Sequence, residues 1–223
     1  MLELRGVTAG GLREASFALV PGESARLLLS SAAEVSLLLR LVVGAERRRE
    51  GRILLFDRDL SEVSEAEALA LLARTGIVWP AGGFVSNLKA WENILLPLWY
   101  HGRQDAAGLE DEAVALLGRL GLDAARVPEF LAALPGSLPE REQRILGVAR
   151  AMLMDAEIMI YAGLLDGLDA PTRALLAAET ARHQARRAGR VSLYVAAGTP
   201  GLPDPFDGTS LRQDERGGIA PWR

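Results

Sequence analysis

The 223-residue chain contains no cysteine, a single lysine (Lys89) and two histidines (His101 and His183). The first absence excludes disulfides, thiolate metal sites and cysteine nucleophiles. The other shortages confine lysine- or histidine-dependent chemistry to three positions. Neither histidine has a second histidine or a cysteine at helical spacing, and no metal site is expected. Long apolar runs are missing too. Glu34 and Arg40 interrupt the most hydrophobic stretch, well short of the roughly 20 residues that cross a bilayer. The N-terminal MLELRGVTAG has no basic region followed by an apolar run, so a cytoplasmic protein is expected. A net charge of −4 gives no reason to expect nucleic acid as a partner.

About half of the residues are hydrophobic, enough for one domain with a sizeable core. MLELRGV and the stretch around ASFALV alternate apolar and polar residues, as half-buried strands do, with a turn at Pro21-Gly22-Glu23. Residues 27–29 read as a buried strand. Ser36 to Val43 read as a helix that Gly44 can close. GRILLFDRD and TGIVWP read as strands, and between them Ser64 and Glu67 form a capping box for a helix stopped by Gly76. From Ala81 to Gly136 the pattern is mainly helical, with one helix broken near Pro97, and another helix runs from Pro139 to Met154. AEIMIYAG and RVSLYVAAG are buried strands flanking an amphipathic helix, and GTSLRQDERGGIA reads as a hairpin. Strands alternating with helices imply an α/β fold with a mostly parallel sheet. The expected division is a core of residues 1–78 and 155–223 and a mainly helical part, 79–154.

Several fragments, in order, resemble the nucleotide-binding subunit of an ABC transporter. PGESARLLL and LLLRLVVG flank the phosphate-loop position. GIVWPAGGFVSNLKAWENILLPLWYHG is similar to the glutamine-loop and permease-facing region. LPGSLPEREQRILGVARAML is similar to the signature helix, and DAEIMIYAGLLDGLD to the second acidic strand and the D-loop. The resemblance covers nearly the whole chain. It implies a P-loop NTPase-like core with an N-terminal antiparallel β part and a helical subdomain. It also implies a membrane permease and a second nucleotide-binding subunit, identical or not, as partners, and a peripheral place on the cytoplasmic face of a membrane. NLKAWENILLPLWYHG is closest to subunits of lipid-handling systems of the mammalian-cell-entry type.

The chemical residues depart from the family pattern. Against G-x-x-G-x-G-K-[ST], the chain reads Leu29, Ser30, Ser31, Ala32, Ala33, Glu34, Val35 and Ser36. The pattern's glycines let backbone amides approach phosphate and its lysine reaches the β- and γ-phosphates. Here only Ser36 matches. Ala162 and Gly163 replace the magnesium aspartate and catalytic glutamate; Pro80 stands at the glutamine-loop position and Ala197 at that of the histidine. Leu138, Pro139, Glu140, Arg141 and Glu142 replace the signature L-S-G-G-Q. No aromatic partner for adenine stands at residues 8–13. The expectation is therefore a catalytically inactive homologue with no catalytic residue, no bound cofactor and a structural or regulatory role in a transporter, in which lipid is one candidate cargo. The alternatives are an active ATP-hydrolysing subunit with atypical motifs, using ATP and magnesium, and a soluble ABC-like protein without a permease.

Ser31 and Glu34, and likewise Ser137 and Glu140, fit the capping box S-x-x-E. Both pairs stand where a helix N-terminus would face ATP, so each glutamate can act as an internal anion or as an ordinary cap. Asp166, Gly167, Leu168 and Asp169 match the D-loop tail, which implies a subunit interface; Asp169 could equally N-cap the following helix. Trp79, Phe84, Trp91, Trp99 and Tyr100 cluster in an aromatic-poor chain. With Pro80 and Glu92 they mark the implied permease interface, or they fill the junction beneath the helical part. His101 and His183 are expected to face solvent or bond locally.

Overall fold

A computed structural model describes residues 1–80, 82–101, 108–204 and 206–222. The first residue of the expected helical stretch, at 81, and the glycine at 102 that would end one of its helices lie outside the described residues.

Two sheets organise the chain. The antiparallel one has the order β2-β1-β4-β5, from β1 (Leu2–Ala9), β2 (Leu12–Leu19), β4 (Glu50–Leu55) and β5 (Arg58–Asp59). In β1, Leu2, Leu4, Val7 and Ala9 all point to the core. A register shift between Leu4 and Val7 absorbs the break in strict alternation. The expected single strand GRILLFDRD is split, because Phe56 and Asp57 adopt positive φ and turn the chain back on itself.

The second sheet has the order β10-β9-β3-β8-β7-β6. Its strands are β3 (Ser24–Leu28), β6 (Thr75–Val78), β7 (Ile158–Ala162), β8 (Val191–Ala196), β9 (Thr209–Gln213) and β10 (Ile219–Pro221). All its neighbours pair in parallel except the β9–β10 hairpin. β7 and β8 are buried along their whole length and accordingly read as near-continuous apolar runs.

Helix α1 (Ala32–Val42) packs Val35, Leu38, Leu39 and Val42 between the two sheets, against Leu27, Ile160 and Leu193. It begins four residues before the expected Ser36, since Ser31 caps it. Helix α2 (Glu65–Leu72) starts at the expected Ser64 cap, whose hydroxyl accepts from the Glu67 N–H at 3.3 Å. Between β6 and β7 come α3 (Ala90–Tyr100), α4 (Leu109–Arg119), α5 (Val127–Ala132) and α6 (Glu140–Leu153). They close a second core around Ile94, Leu117, Phe130, Ile145 and Leu146. Each such buried aliphatic or aromatic side chain contributes about 1.5–3 kcal/mol. Helix α7 (Ala170–Ala185) lies between β7 and β8.

Helix α3 is not broken at Pro97, contrary to expectation. Buried Asn93, one turn earlier, fixes the segment leading into it. Its Oδ1 accepts from the Val85 N–H, and its Nδ2 donates to the carbonyls of Val85, Leu88 and Lys89. Beside it Glu92 accepts from the Lys89 N–H at 2.7 Å, a back-bond over the first turn.

Candidate functional site

The C-terminal ends of the parallel strands bring the sequence-predicted positions together. Leu29, next after β3, is buried, and its N–H donates to the Ala196 carbonyl at 2.9 Å. Ser31 has extended dihedrals and its hydroxyl accepts from the Glu34 N–H at 3.2 Å, the expected half of a capping box. The other half is absent. The Glu34 carboxylate does not return to Ser31; its Oε1 accepts from the Gly11 N–H, 2.9 Å away in the β1–β2 turn. Its Oε2 is buried without a hydrogen-bond partner. Val35, at the lysine position, is only 3% exposed and lies in the core. Ala32 and Ala33 are exposed, and among the described residues their N–H groups make no hydrogen bond.

Ala162 ends β7 and Gly163 follows it, both buried. Gly163 has φ of +56°, and a Cβ there would stand 2.9 Å from Asp166 Oδ2, so only glycine fits without displacing a neighbour. Its carbonyl accepts from Arg144, a buried guanidinium on α6. Desolvation lowers the pKa of Arg144, and the charges of Asp166 and Glu140 oppose that shift. Arg144, Gln143, Glu140, Trp79 and Pro80 line a polar pocket of about 280 Å³.

The signature positions serve the fold locally. Leu138 is buried and Pro139 precedes the first turn of α6. The Ser137–Glu140 capping box does not form: the Ser137 hydroxyl donates to the Leu134 carbonyl, and α6 starts too late for it to be the cap. Arg141 donates to Thr172 Oγ1 and to the Gly121 carbonyl, and Glu142 forms a two-point pair with Arg126 at 3.0 Å. In the D-loop segment Asp166, Gly167 and Asp169 are exposed and Leu168 is half-buried. Asp169 caps α7, accepting from the Thr172 N–H at 2.7 Å, and that bond holds its carboxyl below the usual aspartate range.

The aromatics divide. Phe84 and Trp91 pack against the second core, whereas Trp99 and Tyr100 are 49% and 68% exposed. Trp79, Tyr100, His101, Ile77, Leu96, Pro97, Arg150 and neighbouring residues line an apolar cleft of about 430 Å³ between the two cores. Trp99 is not among its walls. Arg150 ties the cleft's rim down by donating to the Gly82 and Gly83 carbonyls, and it lies over the Phe84 ring at 4.9 Å. Burial pulls its pKa down to about 10. His101, beside the edge of Tyr100, has its pKa lowered by burial.

Sequence reasoning missed Gln213, Arg144 and Arg150. Gln213 accepts from the Ser30 N–H at 2.9 Å and donates to the Gly11 carbonyl at 3.1 Å, linking the loop before α1 to the β1–β2 turn. No motif marks a glutamine in a terminal hairpin. The arginines could have been found as the α6 residues that reach the ends of β6 and β7.

No protein-family model matches the chain. It is 33% identical over 174 residues to a methionine import ATP-binding protein of Paraburkholderia xenovorans, covering 78% of this chain and 44% of that protein. It is 32% identical over 188 residues to a phosphonates import ATP-binding protein of Chromohalobacter salexigens, covering 78% of this chain and 65% of that protein. The chain thus spans about half the length of the curated relatives it matches. The dimeric post-hydrolysis cassette MJ0796, bound to ADP and Pi, superposes with a TM-score of 0.83 at 19% identity, covering 100% of this chain and 99% of that one. At that identity the likeness is one of fold: an ABC ATPase P-loop fold, as expected. Fold and sequence similarity together support the class, an ABC-transporter nucleotide-binding domain.

The expectation of a catalytically inactive homologue is corrected by these relatives. They bear the names of ATP-binding import proteins, and the matching cassettes include nucleotide-bound ones. Their names specify methionine and phosphonates rather than lipid. The residues around the start of α1 still do not fit a triphosphate and magnesium in the family's manner. Val35 is sealed in the core, Glu34 brings a carboxylate with an unpartnered oxygen, and Ala162 and Gly163 offer no carboxylate.

Proposed function

We propose that the chain is the ATP-binding subunit of a membrane importer, active with atypical nucleotide residues. The observation that supports this reading is the similarity to import ATP-binding proteins over about three quarters of the chain. The start of α1 keeps only two remnants of the family's pattern: the N–H groups of the exposed Ala32 and Ala33 make no hydrogen bond among the described residues, and Ser36 retains the magnesium-side hydroxyl. The chain works as a dimer through the exposed Asp166–Asp169 segment, and on the cytoplasmic face of a membrane it receives a permease segment in the cleft of Trp79 and Tyr100. Its cargo is a small solute of the kind its relatives' names describe.

Equilibrium binding of ATP with magnesium to the purified chain, followed by phosphate release in the presence of its own membranes, tests the reading. Saturable binding and release above the magnesium-free background are expected. A folded protein that shows neither at millimolar ATP would overturn it.

A further inference from the structure

Helix α6 presents Glu140, Gln143, Arg144 and Gly147 at helical spacing, on one stripe. That stripe forms one wall of the pocket of about 280 Å³, and Val78, Trp79 and Pro80, at and just after the end of β6, form the other. Arg144 is 9% exposed. A guanidinium offers several N–H donors in a fixed fork. Among the described residues Arg144 uses only Nη1, toward the Gly163 carbonyl. No carboxylate comes within ion-pair distance of it among those residues, although the charges of Asp166 and Glu140 act on it. The Glu140 carboxylate, on the same wall, likewise has no hydrogen bond or ion pair among the described residues. Glu140 precedes Arg144 by one helical turn, the arrangement in which such side chains pair, yet the two stay apart. Gln143 donates from Nε2 to the Leu138 carbonyl at 2.9 Å, which leaves its Oε1 as a further acceptor. A buried cation and a carboxylate thus face one cavity with their hydrogen-bonding capacity unspent, and such groups are costly to leave so.

We infer that this pocket binds a small zwitterion of the α-amino-acid class. The ligand's carboxylate takes the free N–H groups of Arg144, its ammonium takes Glu140 and Gln143 Oε1, and its side chain lies against Trp79 and Pro80. The charge balance selects this class. A plain carboxylate would meet Arg144 but also the charges of Glu140 and Asp166, which repel it, and a phosphate would be repelled more. A plain amine would meet Glu140 but lie beside the guanidinium. A ligand with both charges in one small frame satisfies both groups, and the forked donors of an arginine suit a carboxylate. The pocket lies at the end of β6 and along α6, away from the start of α1, so the inference stands independently of the nucleotide reading.

Calorimetric titration of the purified chain with leucine, N-acetyl-leucine and leucinamide tests this. Leucine carries both charges, and each analogue lacks one. Saturable leucine binding with a Kd of about 1 mM or tighter is expected, with both analogues weaker by roughly tenfold or more. Glu140 is exposed, so Glu140→Gln should fold as the wild type does. It should weaken leucine and strengthen N-acetyl-leucine, closing the gap between them, whereas a merely structural role would shift both alike. Arg144→Gln should abolish leucine binding, with a thermal melt to show that it folds. If it does not fold, Arg144→Lys, which keeps the charge but loses the fork, should weaken leucine by roughly tenfold. Three results would each overturn the inference: no leucine binding at several millimolar, equal binding of either analogue, or an unchanged ratio of leucine to N-acetyl-leucine affinity in Glu140→Gln. Full leucine affinity in a folded Arg144 variant overturns it as well.

Discussion

At the residue scale two positions bear on stability, and one of them carries a polar side chain placed against expectation. His183 was expected to face solvent or bond locally; it is 3% exposed, and its Nε2 has no hydrogen-bond partner. Its neighbour Arg190, fully buried, donates to the His183 carbonyl, to Asp155 and to the Ala156 carbonyl. Burial, then the charge of Arg190, lowers the His183 pKa from 6.5 to about 4. The unfolded chain therefore binds a proton that the folded chain refuses, and stability falls as pH drops from about 6.5 to about 4. By pH ~5 the loss attributable to His183 is about 2 kcal/mol. Urea melts at neutral pH and at pH ~5 check this. His183→Gln should flatten the decline by that amount, and an unchanged slope would refute it. The second residue is Gly11. Gly11→Ala should cost about 1–2 kcal/mol, because its Cβ displaces the Glu34 carboxylate. Adding Glu34→Ala should recover most of that loss, a coupling that a double-mutant cycle of chemical melts would measure. Additive losses would mean that the two residues do not meet.

At the element scale periodicity carried most of the fold. The buried strands β7 and β8, the Ser64 cap of α2 and the terminal hairpin all stand where apolar runs and turn residues put them. The failures have local causes. Positive φ at Phe56 and Asp57 breaks a strand that no glycine marks. At Pro97 tertiary packing overrides propensity: Ile94, Leu95 and Leu98 are buried on either side and hold α3 together. A proline inside a helix lacks the N–H that the Asn93 carbonyl would accept. Pro97→Ala should therefore raise stability by about 1 kcal/mol or more, read as a shift in urea midpoint with constant slope. A destabilised variant would mean that Pro97 packs in the cleft more tightly than its lost bond costs. Helix α6 carries the complementary case. Arg150→Ala removes two hydrogen bonds to the segment at Gly82 and Gly83 along with the contact to Phe84. It should cost about 2–4 kcal/mol.

On the scale of the whole molecule, the chain is two hydrophobic cores with an apolar cleft between them. The clustering of Trp79 and Tyr100 in the sequence was legible, but their sharing of one cleft was not. Val43 closes α1, Leu72 ends α2, Ile77 lies in β6, Leu96 and Pro97 belong to α3 and Ala151 to α6, so the cleft's walls are far apart in the chain and no local pattern joins them. The same holds at the α1 end, where Gln213 closes a network begun at Gly11. Family resemblance supplied the order of the segments. The missing side chains pointed to inactivity, and the import ATP-binding names of the relatives correct that expectation. If the cleft receives a permease segment, its large exposed ring should matter more to assembly than to folding. Tyr100 is 68% exposed, so Tyr100→Glu should leave the melting temperature within error. It should also place a charge in the apolar cleft and reduce co-purification of the chain with its membrane partner at least tenfold, since desolvating that charge opposes docking. Trp99→Glu, also exposed but outside the cleft walls, is the control and should co-purify as the wild type does. Equal retention of both variants would exclude the cleft as the docking site, and equal loss of both would move the interface to the outer face of α3.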